Sequence, residues 1–321
     1  MRVNLFYIPV IQYLIYDFKL NIMEKRYESL TLFQFQQLFP DDQACYDHLA
    51  KLKWPDGFIC EKCGHQHCCK GKLDRTRQCT KCGYHATPTS GTLFHKVKFP
   101  ILKAFYIVYF IATNKQGISS TELSRKLGLR QKTCWAFKQK VMKAMASSKK
   151  HPMMGKVEVD ETVIGQEEEG TRGRQNEDKK LVVVGIERKE KGIGRMYARV
   201  ISDGSNQSLK PFFEDHIHPD AAIKTDEWKG YQPFKADFPN LKQVPSGKKG
   251  HNFPDMHRAI MMFKAWLRGI HHSVEHLQGY LDEYCYRFNR HFMKGEIFDN
   301  LLNRMATHTP VYLKNLHDLS A

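Results

Sequence analysis

Two aspartates of this strongly basic chain stand in apolar, strand-like settings, where a charge is costly. Asp160 lies in the alternating, β-branched run KVEVDETVIG, residues 156–165, and Asp226 ends the apolar-leaning AAIKT just before the Gly-Tyr turn of KTDEWKGY, residues 224–231. An isolated carboxylate in or just after an apolar strand needs a metal or a cation to compensate it. Two of them brought together repel each other and invite a divalent ion, and Mg²⁺ suits such a pair because it takes oxygen ligands, keeps waters and bridges to phosphate. Two such ions clamp the attacking and leaving oxygens of an in-line phosphoryl transfer. Taken singly, each Asp reads equally well as a strand end or a turn cap. Glu161 and Glu227 directly follow the two aspartates, so on a continuing strand they point to the other side.

A second constellation is made of cysteines. Cys60 and Cys63, then Cys79 and Cys82, form two C-x2-C pairs fifteen residues apart, each followed by a glycine, Gly64 or Gly83, that lets the backbone turn under a metal. Four thiolates in a tetrahedron are what Zn²⁺ prefers, and a full thiolate set leaves no open position, so this zinc holds structure and does not catalyse. His65, His67, Cys68 and Cys69 between the knuckles offer alternative ligands. Clustered cysteines, nine in all, argue for a reducing compartment, the cytoplasm, ahead of disulfides.

The charge is uneven. Lys plus Arg number 50 against 34 Asp plus Glu, and residues 96–150 hold thirteen of the bases with one acid, Glu122. Such a block faces a polyanion, most commonly nucleic acid. Within it, TELSRKLGLRQKTCWAFKQK has the length and turn of a helix-turn-helix, with Gly128 near the turn. Arg125, Lys126, Arg130, Lys132, Lys138 and Lys140 are its candidate DNA contacts.

The elements that must position these groups follow from periodicity. Two short helices precede the cysteines, and FPILKAFYIVYFIATNKQG gives an apolar helix too short to span a bilayer. The apolar N-terminus is interrupted by Asn4, Gln12 and Asp17, which argues against a membrane span and leaves residues 1–22 as a possible extension ahead of Met23. After residue 151 three strands, a helix capped at Ser205 or Asn206 and a fourth strand make an α/β domain with a mixed sheet. The polar stretch between the first two strands, residues 165–180, reads as a hairpin tip, and the chain from Asp255 onward is helical in period. His271, His272 and His276 read as turn and helix-start residues without a metal. The whole is an α+β multidomain chain. Its expected parts are a helical segment (1–53), a zinc ribbon (54–95), a helix-turn-helix region (96–150), the α/β domain with C-terminal helices (151–295) and a tail (296–321).

This order of parts resembles the insertion-sequence transposases that carry an N-terminal zinc ribbon and a DDE catalytic domain. WPDGFICEKCG, SGTLFHKVKFP and WLRGIHHSVEHLQGYLDEYCYRFNRH carry the resemblance, with VEVDETVIG and, 66 residues on, IKTDEWKGY. It implies an RNase H-like sheet with Asp160 on the first strand and Asp226 just after the fourth, holding Mg²⁺ (or Mn²⁺). It further implies cleavage and strand transfer on double-stranded DNA, both transposon ends and target, by a homo-oligomer in the bacterial cytoplasm. The family's third ligand, usually Glu, lies on a helix seven residues before a lysine. DMHRAIMMFKAWLRG places His257 and Lys264 at those positions, and part of the family is similar in having His or Asn there. Imidazole is softer than carboxylate and tilts the site toward accepting Mn²⁺. Glu283, in YLDEYCYRFNR, is the rival third acid, or else a buried, paired structural Glu. A zinc-ribbon regulator that binds DNA without cutting it, an inactive transposase relic and an RNase H-type nuclease are the alternative readings.

Overall fold

The computed structural model describes residues 29–73, 75–165, 179–247, 251–270 and 275–312, with the side chain of Ile270 left aside. Residues 1–22, the start at Met23, most of the proposed hairpin tip, His271 and His272 lie outside the described residues.

The N-terminal helices are α1 (Leu32–Leu38) and α2 (Asp42–Lys53). Thr31 and Gln34 form a reciprocal capping box on α1, and the Asp41 carboxylate accepts from Ala44 N at the start of α2. Then come α3 (Ile101–Thr113), α4 (Ser120–Leu127) and α5 (Gln131–Met145). Ser119 caps α4, and Gly128 ends it in the left-handed conformation at φ 59°, which glycine adopts without a Cβ penalty. Neither α1 nor α2 can bury an apolar face alone. Phe35 and Leu49 from them join Phe105, Val108, Leu123, Phe137 and Val141 in one core.

That core corrects two sequence boundaries. The first helical segment is not separate from the helix-turn-helix region. Within the expected tail, α9 (Ile297–Thr307) presents Phe298, Leu301, Leu302 and Met305, at helical spacing, to the same core. Backbone contact seals it, Leu93 N donating to Met305 O at 3.1 Å. Among the described residues no helix is long and apolar enough to cross a membrane.

Between α2 and α3 lies a small antiparallel sheet of β1 (Cys68–Lys70), β2 (Arg77–Cys79) and β3 (His85–Ala86). Trp54, Phe58, Cys60, Cys79 and Ala86 form its own buried cluster.

The second sheet has the order β6-β5-β4-β7-β8, built from β4 (Lys156–Gly165), β5 (Lys179–Arg188), β6 (Ile193–Ile201), β7 (Ala222–Thr225) and β8 (Lys242–Gln243). The first three strands pair antiparallel, while β7 is parallel to β4 and β8 to β7. Helix α6 (Asn206–His216), capped at Ser205, connects the antiparallel half to the parallel half. This is the mixed sheet that the resemblance implies, with one short strand, β8, beyond the four read from the sequence.

Both faces are covered. Helices α7 (Pro254–Ile270) and α8 (Leu277–Asn289) bury Met256, Phe263 and Leu281 against Ile164, Val182, Val184 and Ile186. On the other face Phe212, Phe213, Tyr231 and Phe234 cover Val157, Val159 and Val183. The outer edge of β6 would offer unpaired backbone groups. Asn289 closes it by accepting from Met196 N at 2.8 Å and donating to Met196 O at 2.9 Å, and the Gln278 side chain accepts from Val200 N at 2.9 Å.

Candidate active site and metal centres

The register of the parallel pair explains why the two aspartates meet. Val157 stands opposite Ile223 and Glu158 opposite Lys224. Two residues further along each chain, Asp160 and Asp226 are level and on one face, because side chains alternate with period two. Strand β7 ends at Thr225, and the chain turns at once: Trp228 N donates to Asp226 Oδ1 at 3.0 Å, and Gln243 Nε2 to the Asp226 carbonyl at 3.3 Å. On β4 the amide of Glu161 donates to Asp160 Oδ1 at 2.9 Å. Both aspartates are half-buried.

Glu161 stands beside them on β4, which pairs with β5 through this position, and one oxygen of each of Asp160, Glu161 and Asp226 lies within 4.8 Å of the others. Two carboxylates at that separation repel by about 3 kcal/mol at an effective dielectric of 20. Three acids there form a hard, all-oxygen donor set, the kind that takes Mg²⁺ or Mn²⁺. Glu227 is exposed and outside the cluster.

Helix α7 lies over the face that carries Glu158 and Asp160. Arg188 ties it down, donating to Glu158 at 3.1 Å and pairing with Asp255 in the first turn of α7 at 3.0 Å. Burial raises the Glu158 pKa, and the charges of Arg188 and Lys224 oppose it. Met256, Ala259, Ile260 and Phe263 face the sheet, leaving His257 exposed on the flank and Lys264 half-buried two turns on. His257 is not part of the close carboxylate cluster. Glu283 belongs elsewhere. It is fully buried on α8, bonded to Arg287 at 2.7 Å and 3.9 Å from Lys138 of α5, so the structure makes it an ion-pair residue at the helical core and not a third acid of this cluster.

The cysteine quartet closes in the same local way at each knuckle. Gly64 N donates to Cys60 O and Cys60 N to His65 O; Gly83 N donates to Cys79 O and Cys79 N to Tyr84 O. Gly64 and Gly83 have φ of 71° and 69°, a region costly to any residue with a Cβ. The four sulfurs lie within 4.8 Å of one another, with Cys60–Cys82 and Cys63–Cys79 both at 3.6 Å. A tetrahedron with Zn–S of 2.3 Å has edges of about 3.8 Å, so the donors fit the ion. Against the desolvation of burial, the amides of Cys82 and Lys81 favour the Cys79 thiolate and bring its pKa to about 6. Cys68 and Cys69 fall on β1, and His65 bonds Thr80, so none of the alternative ligands joins the quartet.

Residues 152–289 match the model of the ISXO2-like transposase domain, and residues 40–85 match that of the transposase zinc-ribbon domain. The chain belongs to this transposase family. No curated protein matches it significantly. Among solved structures, that of a pre-cleavage Mos1 transpososome aligns over 61% of this chain and 76% of that one, at 11% identity and a TM-score of 0.26, too slight a likeness to argue from.

The basic surface of the transposase is narrower than its sequence suggests. Arg125, Lys126, Arg130 and Lys132 are exposed around the turn between α4 and α5. Lys138 and Lys140 are turned inward. Lys138 is 3% exposed and donates to Ile118 O at 2.8 Å, while Lys140 reaches Leu93 O and His95 O at 3.4 Å. Burial lowers the pKa of both. Their expected role at the DNA surface is therefore corrected. A long aliphatic stem lets an ammonium reach carbonyls across a core, and the only sequence hint is their position beside Phe137 and Val141.

Proposed function

We propose that the transposase cuts and joins DNA at the terminal inverted repeats of its own element, with Asp160 and Asp226 as ligands of Mg²⁺ or Mn²⁺. The observation that carries this is the convergence of carboxylate oxygens from β4 and the end of β7. A divalent ion bound there supplies Lewis-acid activation of water or of a DNA 3′-hydroxyl, since cleavage and strand transfer are one in-line substitution with two nucleophiles. The protein's own part is to hold the carboxylates. The amides of Glu161 and Trp228 each donate to one of them, fixing its orientation. His257 and Lys264, seven residues apart on α7, share a flank of the helix, from which the imidazole would complete the ligand set and the ammonium would bind a phosphate.

The four-thiolate zinc holds the ribbon's fold. Arg125, Lys126, Arg130 and Lys132 grip the duplex backbone, and pairing of two ends calls for a homo-oligomer on DNA. The bacterial cytoplasm, a reducing compartment, suits four thiolates held as zinc ligands.

The test is joining and cleavage on duplexes that carry the element's ends, in Mg²⁺ and in Mn²⁺. Wild type should cut and join; Asp160→Asn and Asp226→Asn should bind the same DNA and do neither, and His257→Ala should lose most of the rate. Binding without any cutting by wild type would sink the catalytic reading, and cutting without joining would reduce it to a nuclease.

A further inference from the structure

A cavity of about 430 Å³ opens at the outer edge of β6, where α6, α8 and the connection from α5 to β4 come together. That volume is in the range of small-ligand sites. Lys149, Arg195, Arg199 and Arg290 line it against two acids, Asp215 and Asp282. The four bases are not equivalent. Asp215 is already held by Lys149 at 2.9 Å and by Arg199 at 3.0 Å. Among the described residues neither Arg195 nor Arg290 has a carboxylate at ion-pair distance; Arg195 donates to Pro152 O at 3.1 Å, and Arg290 lies over the Tyr286 ring at 4.2 Å. Both are half-buried. They also converge: burial raises the Tyr197 pKa, and the charges of Arg195 and Arg290 are the ones that oppose it. Asp282 does not balance them, since its carboxylate accepts from Gln278 at 3.0 Å and burial pushes its pKa up to about 6. Two like charges partly withdrawn from water and unmatched are costly, and an anion between them removes the cost.

We propose that this cavity binds a phosphate group, with Arg195 and Arg290 as its principal donors. The planar fork of a guanidinium matches phosphate oxygens two at a time, and two forks on one cavity fit a dianion better than a lone lysine does. Ser147 and Ser148, on the connecting segment, line the same cavity and add hydroxyl donors. The phosphate is that of a DNA backbone or of a free phosphate compound; the two share this chemistry. Asp160 and Asp226 are not among the lining residues, so the site is separate from the carboxylate centre and needs no divalent ion.

The test uses the full-length protein without added divalent ion, so its outcome does not hang on the proposed cation site. Inorganic phosphate and pyrophosphate are titrated by calorimetry, and a duplex of arbitrary sequence is titrated by filter binding from 50 to 200 mM salt. Arg195→Gln and Arg290→Gln should each weaken the bound probe about tenfold, the worth of one hydrogen bond to a charged group. Lys210→Gln, exposed on α6 and outside the cavity, should change nothing. Loss of phosphate and pyrophosphate with duplex binding intact assigns the cavity to a free phosphate compound. Loss of duplex affinity, with a salt slope lower by about 1 for each arginine and with pyrophosphate competing, assigns it to the DNA backbone. Arginines that serve the fold alone would lower the melting temperature and leave every affinity at the wild-type level, which overturns the proposal. If Arg290→Gln fails to fold for want of its contact with Tyr286, Arg290→Lys and Arg195→Gln decide. The lysine keeps the charge and loses the fork, so wild-type affinity for all three probes in both variants defeats the inference.

Discussion

Glu283 offers the sharpest separation between a catalytic acid and a structural one. It is 0% exposed, Lys138 is 3% exposed, and Arg287 links the same carboxylate to the Ile111 carbonyl of α3. Glu283→Gln keeps the shape and one acceptor oxygen but leaves buried Lys138 and half-buried Arg287 without their anion. Removing one partner of such a pair costs about 3–5 kcal/mol; the retained amide oxygen places this change near 3. At about 2 °C per kcal/mol for a chain of this size, the melting temperature should fall by roughly 6 °C. Adding Lys138→Met removes one stranded charge and should recover most of the loss. The pH dependence has a defined sign. Burial lowers the Lys138 pKa in the fold, and Glu283 is the charge that opposes this. Without it the folded-state value drops further below the unfolded one, so the unfolded chain binds more protons and stability rises with pH. The deficit of Glu283→Gln should therefore narrow between pH 7 and pH 9.5. Calorimetric melts across that range read it directly, with Mn²⁺ titration alongside. The reasoning is refuted if Glu283→Gln melts like wild type, or if it loses Mn²⁺ affinity as Asp160→Asn does.

Two further outcomes follow from the surface. Arg130→Ala and Lys132→Ala should each weaken binding to any duplex and lower the slope of log affinity against log salt by about 1, whereas Lys140→Met should leave that slope unchanged and lower the melting temperature; filter binding from 50 to 200 mM salt distinguishes them. Asn289→Leu strips both bonds to Met196 on the edge of β6, costing about 1–3 kcal/mol and opening the edge to pairing. Denaturant melts and light scattering should show lower stability and association, and a monodisperse variant of wild-type stability would mean that the amide does not guard the edge.

What could be read from the sequence was what is decided locally. Each zinc knuckle closes within six residues around a glycine at positive φ, so the C-x2-C-G pattern contains its own geometry. The aspartates were legible for a related reason: an acid in or just after a β-branched run is anomalous wherever the run lies. Groups whose place depends on distant chain were not legible. Glu161 lies close to both aspartates only because β7 brings Asp226 up to β4, and nothing in VEVDETVIG says where β7 stops. The inward turn of Lys138 and Lys140 depends on carbonyls up to 47 residues away, and charge counting cannot see it. Helix α9 shows an apolar face, but its host core is assembled from residues near 35 and 105, so without the fold it reads as a tail.

The same long-range packing fixes how the basic helices α4 and α5 stand relative to the carboxylates. Helix α8 has two buried faces. Leu277, Leu281 and Tyr284 pack with α7 and the sheet, while Tyr286 sits in the helical core and Glu283 is locked to α5 and α3. One rigid helix therefore belongs to both halves, and its amides also close the edge of β6. The loop between the halves need not determine their orientation, because α8 does. Arg188 extends the chain of constraint to α7, and with it to His257 and Lys264. The basic turn proposed to grip the duplex is then set in a defined place relative to the acids on β4 and β7. Such preorganisation lets binding energy be spent on orienting the reacting phosphate.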